Sequence, residues 1–374
     1  SYLKTVKSAV AKNATTVVVT LTGIDPSILE YLADSAGLIA SPKSIGTKAS
    51  ATTPVGSGPY VIDKAKTRAG STYVYKANPN YWDKASRKYD NLVINIYAEK
   101  TAMANALKSG AVSGGTVLPE FLTSLKAKGF KMASSYEGAQ GIYFSDRNGA
   151  RKSCVQDVNV RRAINSVLDR DALLKTMSAG AGRVTTQYFP DSNPGFNKTL
   201  DSKYPYSVEA AKAFMAKSAY ATGCTISMMT YTPFFGEAVY SVIKSQFALI
   251  GITVKETEED IATLLANIQA PKYDAYLMVF ERSANPWTLM NFMVSKNANW
   301  NAEHYTEAKV EALIEEYPTA TDARRVAILK AINTEIVNNA WFSPWYASQS
   351  NFAYKGIALK AQAGNVLPFL YNIK

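Results

Sequence analysis

The residues that could carry chemistry are few. One histidine, His304, sits in Glu303-His304-Tyr305, and the two cysteines, Cys154 and Cys224, stand far apart. Three such side chains cannot build a structural zinc cluster, and neither cysteine belongs to a Cys-x-x-Cys pair. A Cys/His dyad is open on counting alone, with nothing local to support it. The chain has no Gly-x-Ser-x-Gly elbow and no His-Glu-x-x-His helix, so a hydrolase built on this sequence would have to use a pair of carboxylates. The cysteines form either a disulfide, as suits an extracytoplasmic chain, or two buried thiols, as suits a cytosolic one. Aromatic residues are the richer resource. Tyr231, Phe234, Phe235, Trp287, Trp300 and Tyr143 fall at or near the ends of stretches that read as strands. Aromatic faces stack on sugar rings, peptide planes and apolar side chains, so the cluster across 231–235 and 287–300 suits an uncharged, elongated ligand, although any one of these residues alone is ordinary core.

The elements that must position them alternate. Strands are expected over 225–231, 252–254 and 273–280, with helices over 237–249 and 261–268 between them, which is the rhythm of an α/β lobe. Upstream, Asp157 caps a helix whose Val160, Ala163, Ile164, Val167 and Leu168 recur at helical spacing, and Asp169-Arg170 breaks it before another begins. Two amphipathic helices are expected over 307–317 and 322–338. Nearer the start, a strand over 17–21 leads to a helix over 27–32 opened by Asp25-Pro26. The stretch 54–82 reads as loop, hairpin and turn. Gly56 and Gly58 allow a close backbone approach, Pro59 fixes the start of the strand 60–62, a second strand covers 72–75, and Asn78-Pro79-Asn80 ends it. A strand over 92–97, helices over 101–109 and 119–128, each followed by glycine, and a strand over 141–145 complete the series.

A chain of 374 residues with 47% hydrophobic and 11% aromatic residues is long enough for two lobes with sizeable cores. It has no apolar run of about 18 residues, the length a membrane-spanning helix needs, and Ser1 to Lys7 lacks the apolar core of a signal peptide. The net charge of +11 invites a nucleic-acid partner, yet the lysines are dispersed and no zinc-finger, RNA-recognition or basic-zipper pattern occurs. A solvated basic surface is the reading adopted. It would also hold the protein near an anionic membrane or cell wall.

Two blocks carry a resemblance. Pro54-Val55-Gly56-Ser57-Gly58-Pro59-Tyr60 with Asn78-Pro79-Asn80-Tyr81-Trp82, and Asp157-Val158-Asn159-Val160-Arg161-Arg162-Ala163-Ile164 with Asp169-Arg170, resemble the signatures of the family 5 (peptide/nickel class) solute-binding proteins of ABC importers. Ile39-Ala40-Ser41-Pro42-Lys43, Tyr206 to Met215, Asp322 with Arg325 and the run from Trp341 to Tyr346 are similar to further family segments, so the resemblance covers essentially the whole chain. It departs at 109–113, where the family's acids are absent.

The resemblance implies a type II periplasmic-binding-protein-like α/β fold of two lobes with a hinge. Residues 1–52 would be the remnant of an accessory domain whose N-terminal portion is missing, 53–138 lobe I, 139–340 lobe II, and 341–374 a return to lobe I. It implies an extracytoplasmic, monomeric receptor, in the periplasm or lipid-anchored at the cell surface, that closes on a peptide-like or other small solute and delivers it to an ABC permease, with no cofactor, metal or nucleic acid. In dipeptide and oligopeptide binders of the family, an aspartate just ahead of the stretch matching Asn285-Pro286 receives the peptide's α-ammonium, and Arg282 takes that position here. A guanidinium repels an ammonium. Arg282 therefore meets an anionic or hydroxyl-rich ligand, such as an oligosaccharide, or pairs structurally with Glu281, Asp274 or another acid. Asp260 and Glu237 fall where the family's peptide binders place contacts. The ligand-binding set is thus Arg282, Trp287, Asn285, Tyr231, Phe234, Phe235, Asp260, Glu237, Tyr143 and Trp300. A carboxylate-pair hydrolase and a basic nucleic-acid module are the rivals from other classes.

Overall fold

The computed structural model describes residues 3–280, 285–359, 367 and 373, and the chain divides into two compact units, Ser1–Ser135 with Ser350–Lys374, and Tyr136–Gln349. In the smaller unit, β1 (Val6–Asn13) and β2 (Thr16–Leu21) form an antiparallel hairpin, followed by α1 (Ile28–Ala33). Strands β3 (Tyr60–Ile62), β4 (Thr72–Ala77) and β5 (Asn91–Asn95) make a three-stranded antiparallel meander with Tyr60 opposite Ala77 and Tyr73 opposite Ile94. One side chain organises the turn beyond it. Asn78 donates to the Gly58 carbonyl at 2.9 Å, accepts from the Asn80 N–H at 3.0 Å, and offers its own carbonyl to Arg87 at 2.8 Å. Next come α2 (Lys100–Ser109), closed by Gly110 at φ 77°, then β6 (Gly114–Val117) and α3 (Leu122–Ala127). Leu107, Val117, Leu125, Phe130 and Ala353 form this unit's small core.

The larger unit takes over within β7 (Lys131–Phe144). It continues through α4 (Val158–Val167), α5 (Arg170–Ser178), β8 (Gly182–Val184), α6 (Val208–Ala216), β9 (Cys224–Thr230), α7 (Thr232–Phe235), α8 (Glu237–Ala248), β10 (Ile252–Glu258), α9 (Ile261–Gln269) and β11 (Ala275–Val279). It ends with α10 (Pro286–Leu289), a π-helical turn over Met290–Val294, α11 (Ala308–Glu316), α12 (Asp322–Asn338) and β12 (Phe342–Tyr354), whose last residues, Asn351 to Tyr354, belong to the smaller unit and pair there with β6.

Strands run in the order β10-β9-β11-β7, the first three parallel and β7 antiparallel to β11. Alternation along them separates two cores. Ile142, Phe144, Ile226, Met228 and Leu277 point into one, with Val160, Ile164 and Trp345. Tyr143, Met229, Tyr276 and Met278 point into the other, with Tyr188, Phe280 and Trp341. Successive strand residues face opposite ways, so a sheet covered on both faces reads as an apolar run, as Ala275-Tyr276-Leu277-Met278-Val279 does. Gly141 is required by close approach: a Cβ there would stand 2.4 Å from the Ser343 carbonyl oxygen.

The helices are anchored by buried arginines that have no carboxylate partner. Arg161 donates to the carbonyls of Val155, Gln156, Asn339 and Ala340 at 2.8–3.0 Å. Arg170 donates to those of Asn165, Tyr204 and Pro344 and to the Asn165 side-chain oxygen at 2.7–3.1 Å. Burial pushes both guanidinium groups down to about 10, so they stay charged at neutral pH. Asp157 caps α4 through the Asn159 N–H, as its position predicts. Of the two states open to the cysteines, the structure shows the disulfide: Cys154, just before α4, is joined to Cys224, the first residue of β9, across 70 residues of chain.

Two expectations follow. Arg170→Met strips donors from three backbone carbonyls and is expected to cost about 3 kcal/mol or more, read as a lower urea midpoint with only partial recovery in Arg170→Lys; an unchanged midpoint would show that the guanidinium is not structural. Reducing the single disulfide, or replacing both cysteines by serine, is expected to lower unfolding free energy by about 4 kcal/mol for a loop of this length, measured by denaturant titration with and without reductant.

Candidate functional site

The parallel strands β9, β10 and β11 end together, and β10 and β11 flank β9 on opposite sides. Connections that leave such strands part at their carboxyl ends, where open α/β sheets take ligands. Thr230, the last residue of β9, pairs with Glu258, the last of β10. The Glu258 carboxylate accepts from Thr230 Oγ1 at 2.5 Å, the Thr232 N–H at 2.9 Å and Thr232 Oγ1 at 3.0 Å. Burial pushes this carboxyl up, but the three donors outweigh it and hold the group below its ordinary range. The Tyr231 N–H donates to Tyr240 Oη at 2.8 Å. A turn pinned at both ends thus presents the aromatic residues. Phe234 is 63% exposed, packed edge-on against buried Phe235 at 4.9 Å. Glu237 follows, exposed in the first turn of α8.

Beyond β10, Glu259 accepts from Tyr273 Oη at 2.7 Å and Lys272 Nζ at 3.1 Å. These bonds, the tyrosine's foremost, hold its carboxyl low. Asp260 caps α9 through the Thr263 N–H at 2.7 Å, which lowers it likewise. Beyond β11, Arg282 and Glu281 lie outside the described residues. Asn285 caps α10 by accepting from the Thr288 N–H at 3.0 Å. Trp287 stacks on Tyr317 with ring centroids 5.8 Å apart and planes at 10°.

The expected residues therefore fall into two places. Tyr231, Phe234, Phe235, Glu237, Asp260, Asn285 and Trp287 all follow the carboxyl ends of the three parallel strands. Tyr143 and Trp300 do not. Tyr143 is opposite Tyr276, near the start of β11, and is fully buried, donating its hydroxyl to the Trp300 carbonyl at 2.8 Å. Over its ring lies Arg147, whose guanidinium carbon is 4.8–5.6 Å from the centroids of Tyr143, Tyr305, Trp341 and Phe342. Trp300 packs on Phe292 at 5.3 Å. Tyr143 belongs to the second core and Trp300, partly buried, packs against it. Glu258, outside the set expected from sequence, also ends a parallel strand, and the acidic run Glu256-Thr257-Glu258-Glu259-Asp260 is the sequence signal for it. Beyond the end of β7, Arg151 donates to Ser145 and the Tyr273 carbonyl and pairs with Glu303, whose carboxyl is pushed up by burial against the pull of that arginine.

Among the described residues no group of three or more His, Cys, Asp and Glu is placed to hold a metal ion, and no helix is long and apolar enough to cross a membrane. Tyr273→Phe is expected to move the Glu259 titration upward, toward an ordinary glutamate value, in carbon-detected NMR. Since the folded value is the lower one, the stability this carboxyl contributes is present above the unfolded value and lost as pH falls through the folded one; a midpoint indifferent to Tyr273 would remove the hydroxyl as its cause.

The family model for the bacterial extracellular solute-binding proteins, family 5 (middle), matches residues 1–303. Heme-binding protein A of Haemophilus influenzae is 24% identical over 358 residues, 92% of this chain and 62% of that protein. Di/tripeptide-binding protein 3 of Pseudomonas aeruginosa is 23% identical over 272 residues, 69% of this chain and 50% of that one. The chain thus spans half to three fifths of the length of these curated relatives. The solved structure of HbpA2 from Haemophilus parasuis superposes with a TM-score of 0.82 at 20% identity, covering 100% of this chain and 76% of that one. That likeness shows the fold, which is of the type II periplasmic-binding-protein kind.

Proposed function

As this chain belongs to the bacterial extracellular solute-binding proteins of family 5, we propose that it is the receptor of an ABC importer, capturing a peptide-like or other small solute outside the membrane and handing it to a permease. The match over residues 1–303 carries this reading. The carboxyl ends of β9, β10 and β11 support it, because they offer exposed Phe234, partly buried Tyr231 and Trp287, and fixed polar groups on a rigid rim. Binding there needs no covalent step. A glycosidase-like reading needs one carboxyl raised to act as an acid; at these strand ends Glu258, Glu259 and Asp260 are all held low, and Glu303, the carboxyl that burial raises, is ion-paired with Arg151. The receptor acts as a monomer, with neither cofactor nor catalysis.

Arg282 bears on the ligand through its charge. At a place where family peptide binders receive an ammonium, it disfavours a free peptide N-terminus and suits an anionic or hydroxyl-rich group. A thermal-shift screen tests both points, because a ligand present well above its dissociation constant raises the melting temperature by mass action. The panel is peptides with free and acetylated N-termini, oligosaccharides, small carboxylates and heme. A shift with acetylated peptides, sugars or carboxylates is expected, and Phe234→Ala with Trp287→Ala is expected to abolish it. A shift with free-amine peptides alone would overturn the Arg282 argument and keep the receptor; silence across the panel together with glycoside or ester hydrolysis would overturn the receptor.

A further inference from the structure

One of the two units carries the chain's net charge. Ser1–Ser135 with Ser350–Lys374 holds 20 Lys and Arg against 8 Asp and Glu, a balance of +12. Tyr136–Gln349 holds 21 against 22, a balance of −1. Their pairing differs too. In the larger unit acids and bases are paired repeatedly, as in Arg151 with Glu303, Arg183 with Asp201 and Arg324 with Glu316; in the smaller unit Lys76 pairs with Asp63 at 2.8 Å. Most of the described lysines of the smaller unit are exposed, and its eight acids leave most of that charge unmatched.

Apolar side chains are exposed on the same unit. Every residue from Lys7 to Thr20 is exposed, so the β1–β2 hairpin has both faces in water. A two-stranded hairpin without a packed face is marginal by itself. Val10 is opposite Val18 and Ala9 opposite Val19, which puts valines on both faces. Lys4, Lys7 and Lys12 frame them, no acid lies between Ser1 and Ile24, and Asp25 is itself buried and accepts from Thr5 Oγ1 at 2.7 Å. On the meander's turn Trp82 is 83% exposed.

We propose that the smaller unit docks on an anionic phospholipid surface, with the β1–β2 hairpin and Trp82 meeting the headgroup layer. Ammonium groups draw the unit to anionic headgroups, and valine and indole side chains favour the boundary between headgroup and acyl chain. A soluble polyanion such as nucleic acid would use the charge and leave the valines in water. The inference stands whichever solute the larger unit binds.

Sedimentation of the full chain with vesicles of phosphatidylglycerol and phosphatidylcholine tests it. Binding is expected at about 0.05 M salt, with at least tenfold loss at about 0.5 M, and only weakly to pure phosphatidylcholine. A lysine near such a surface is worth about fivefold, so K4E/K7E/K12E is expected to weaken partitioning at least tenfold, while reversing exposed Lys198, Lys203 and Lys212 of the larger unit changes it less than about twofold. Vesicles are expected to shift tryptophan emission to the blue in the native chain and not in Trp82→Phe, a readout that survives even if the triple variant misfolds by circular dichroism. Equal binding to neutral vesicles, or no change from either set of substitutions, would overturn the proposal. Tighter binding to duplex DNA than to anionic vesicles at the same salt would replace it with a nucleic-acid partner.

Discussion

Two guanidinium groups that find no carboxylate hold the larger unit together. Arg161 and Arg170 spend their donors on backbone carbonyls contributed by the turn before α4, the last turn of α4, the loop ahead of α6, the residues that follow α12 and the start of β12. A carbonyl at a helix end has lost its intrahelical partner and carries the negative end of the helix dipole. Pointing a delocalised cation at it satisfies both groups without the desolvation of a second ion. The helices can then close over the sheet, because the polar ends that would otherwise need water already have partners.

With both faces of the sheet covered, only the strand ends remain available. That constraint explains why the rim residues are locked so firmly. Glu258 takes three donors, Glu259 two, and Asp260 serves a helix. Each is an ionised group whose orientation is settled by the backbone it caps or staples. The aromatic turn between β9 and α8 is held by the same bonds, which fix its backbone at Tyr231 and Thr232.

Much of this was legible. The helix Val158–Val167 announced itself through apolar spacing and a capping aspartate, and the parallel strands through apolar runs between helical stretches. The strand Val6–Asn13 was not legible, since Val-Lys-Ser-Ala-Val-Ala-Lys-Asn is rich in alanine and lysine and lacks a buried face to impose alternation. Nor was the first half of β7, where Lys131 to Gln140 mixes small and polar residues. For the candidate site, sequence position shows which aromatic residues fall near a strand end, and in the structure Tyr231 to Phe235 follow β9 and Trp287 follows β11. It could not show that Tyr143 lies at the other end of its neighbour, because antiparallel register depends on partners far along the chain. The arginines of the family-like blocks read as sequence identity, and only packing reveals that they are carbonyl clamps. Arg282 falls outside the described residues.

The disulfide has a consequence for how the chain matures. Cys154 and Cys224 are the only thiols in the sequence, so oxidation within one molecule has a single outcome and no scrambled isomers to escape. The competing product is a bond between two molecules. The yield of correctly oxidised protein is therefore set by how often the ends of a 70-residue loop meet before a neighbour arrives: a contest between chain diffusion and concentration that dilution always settles in favour of the native bond.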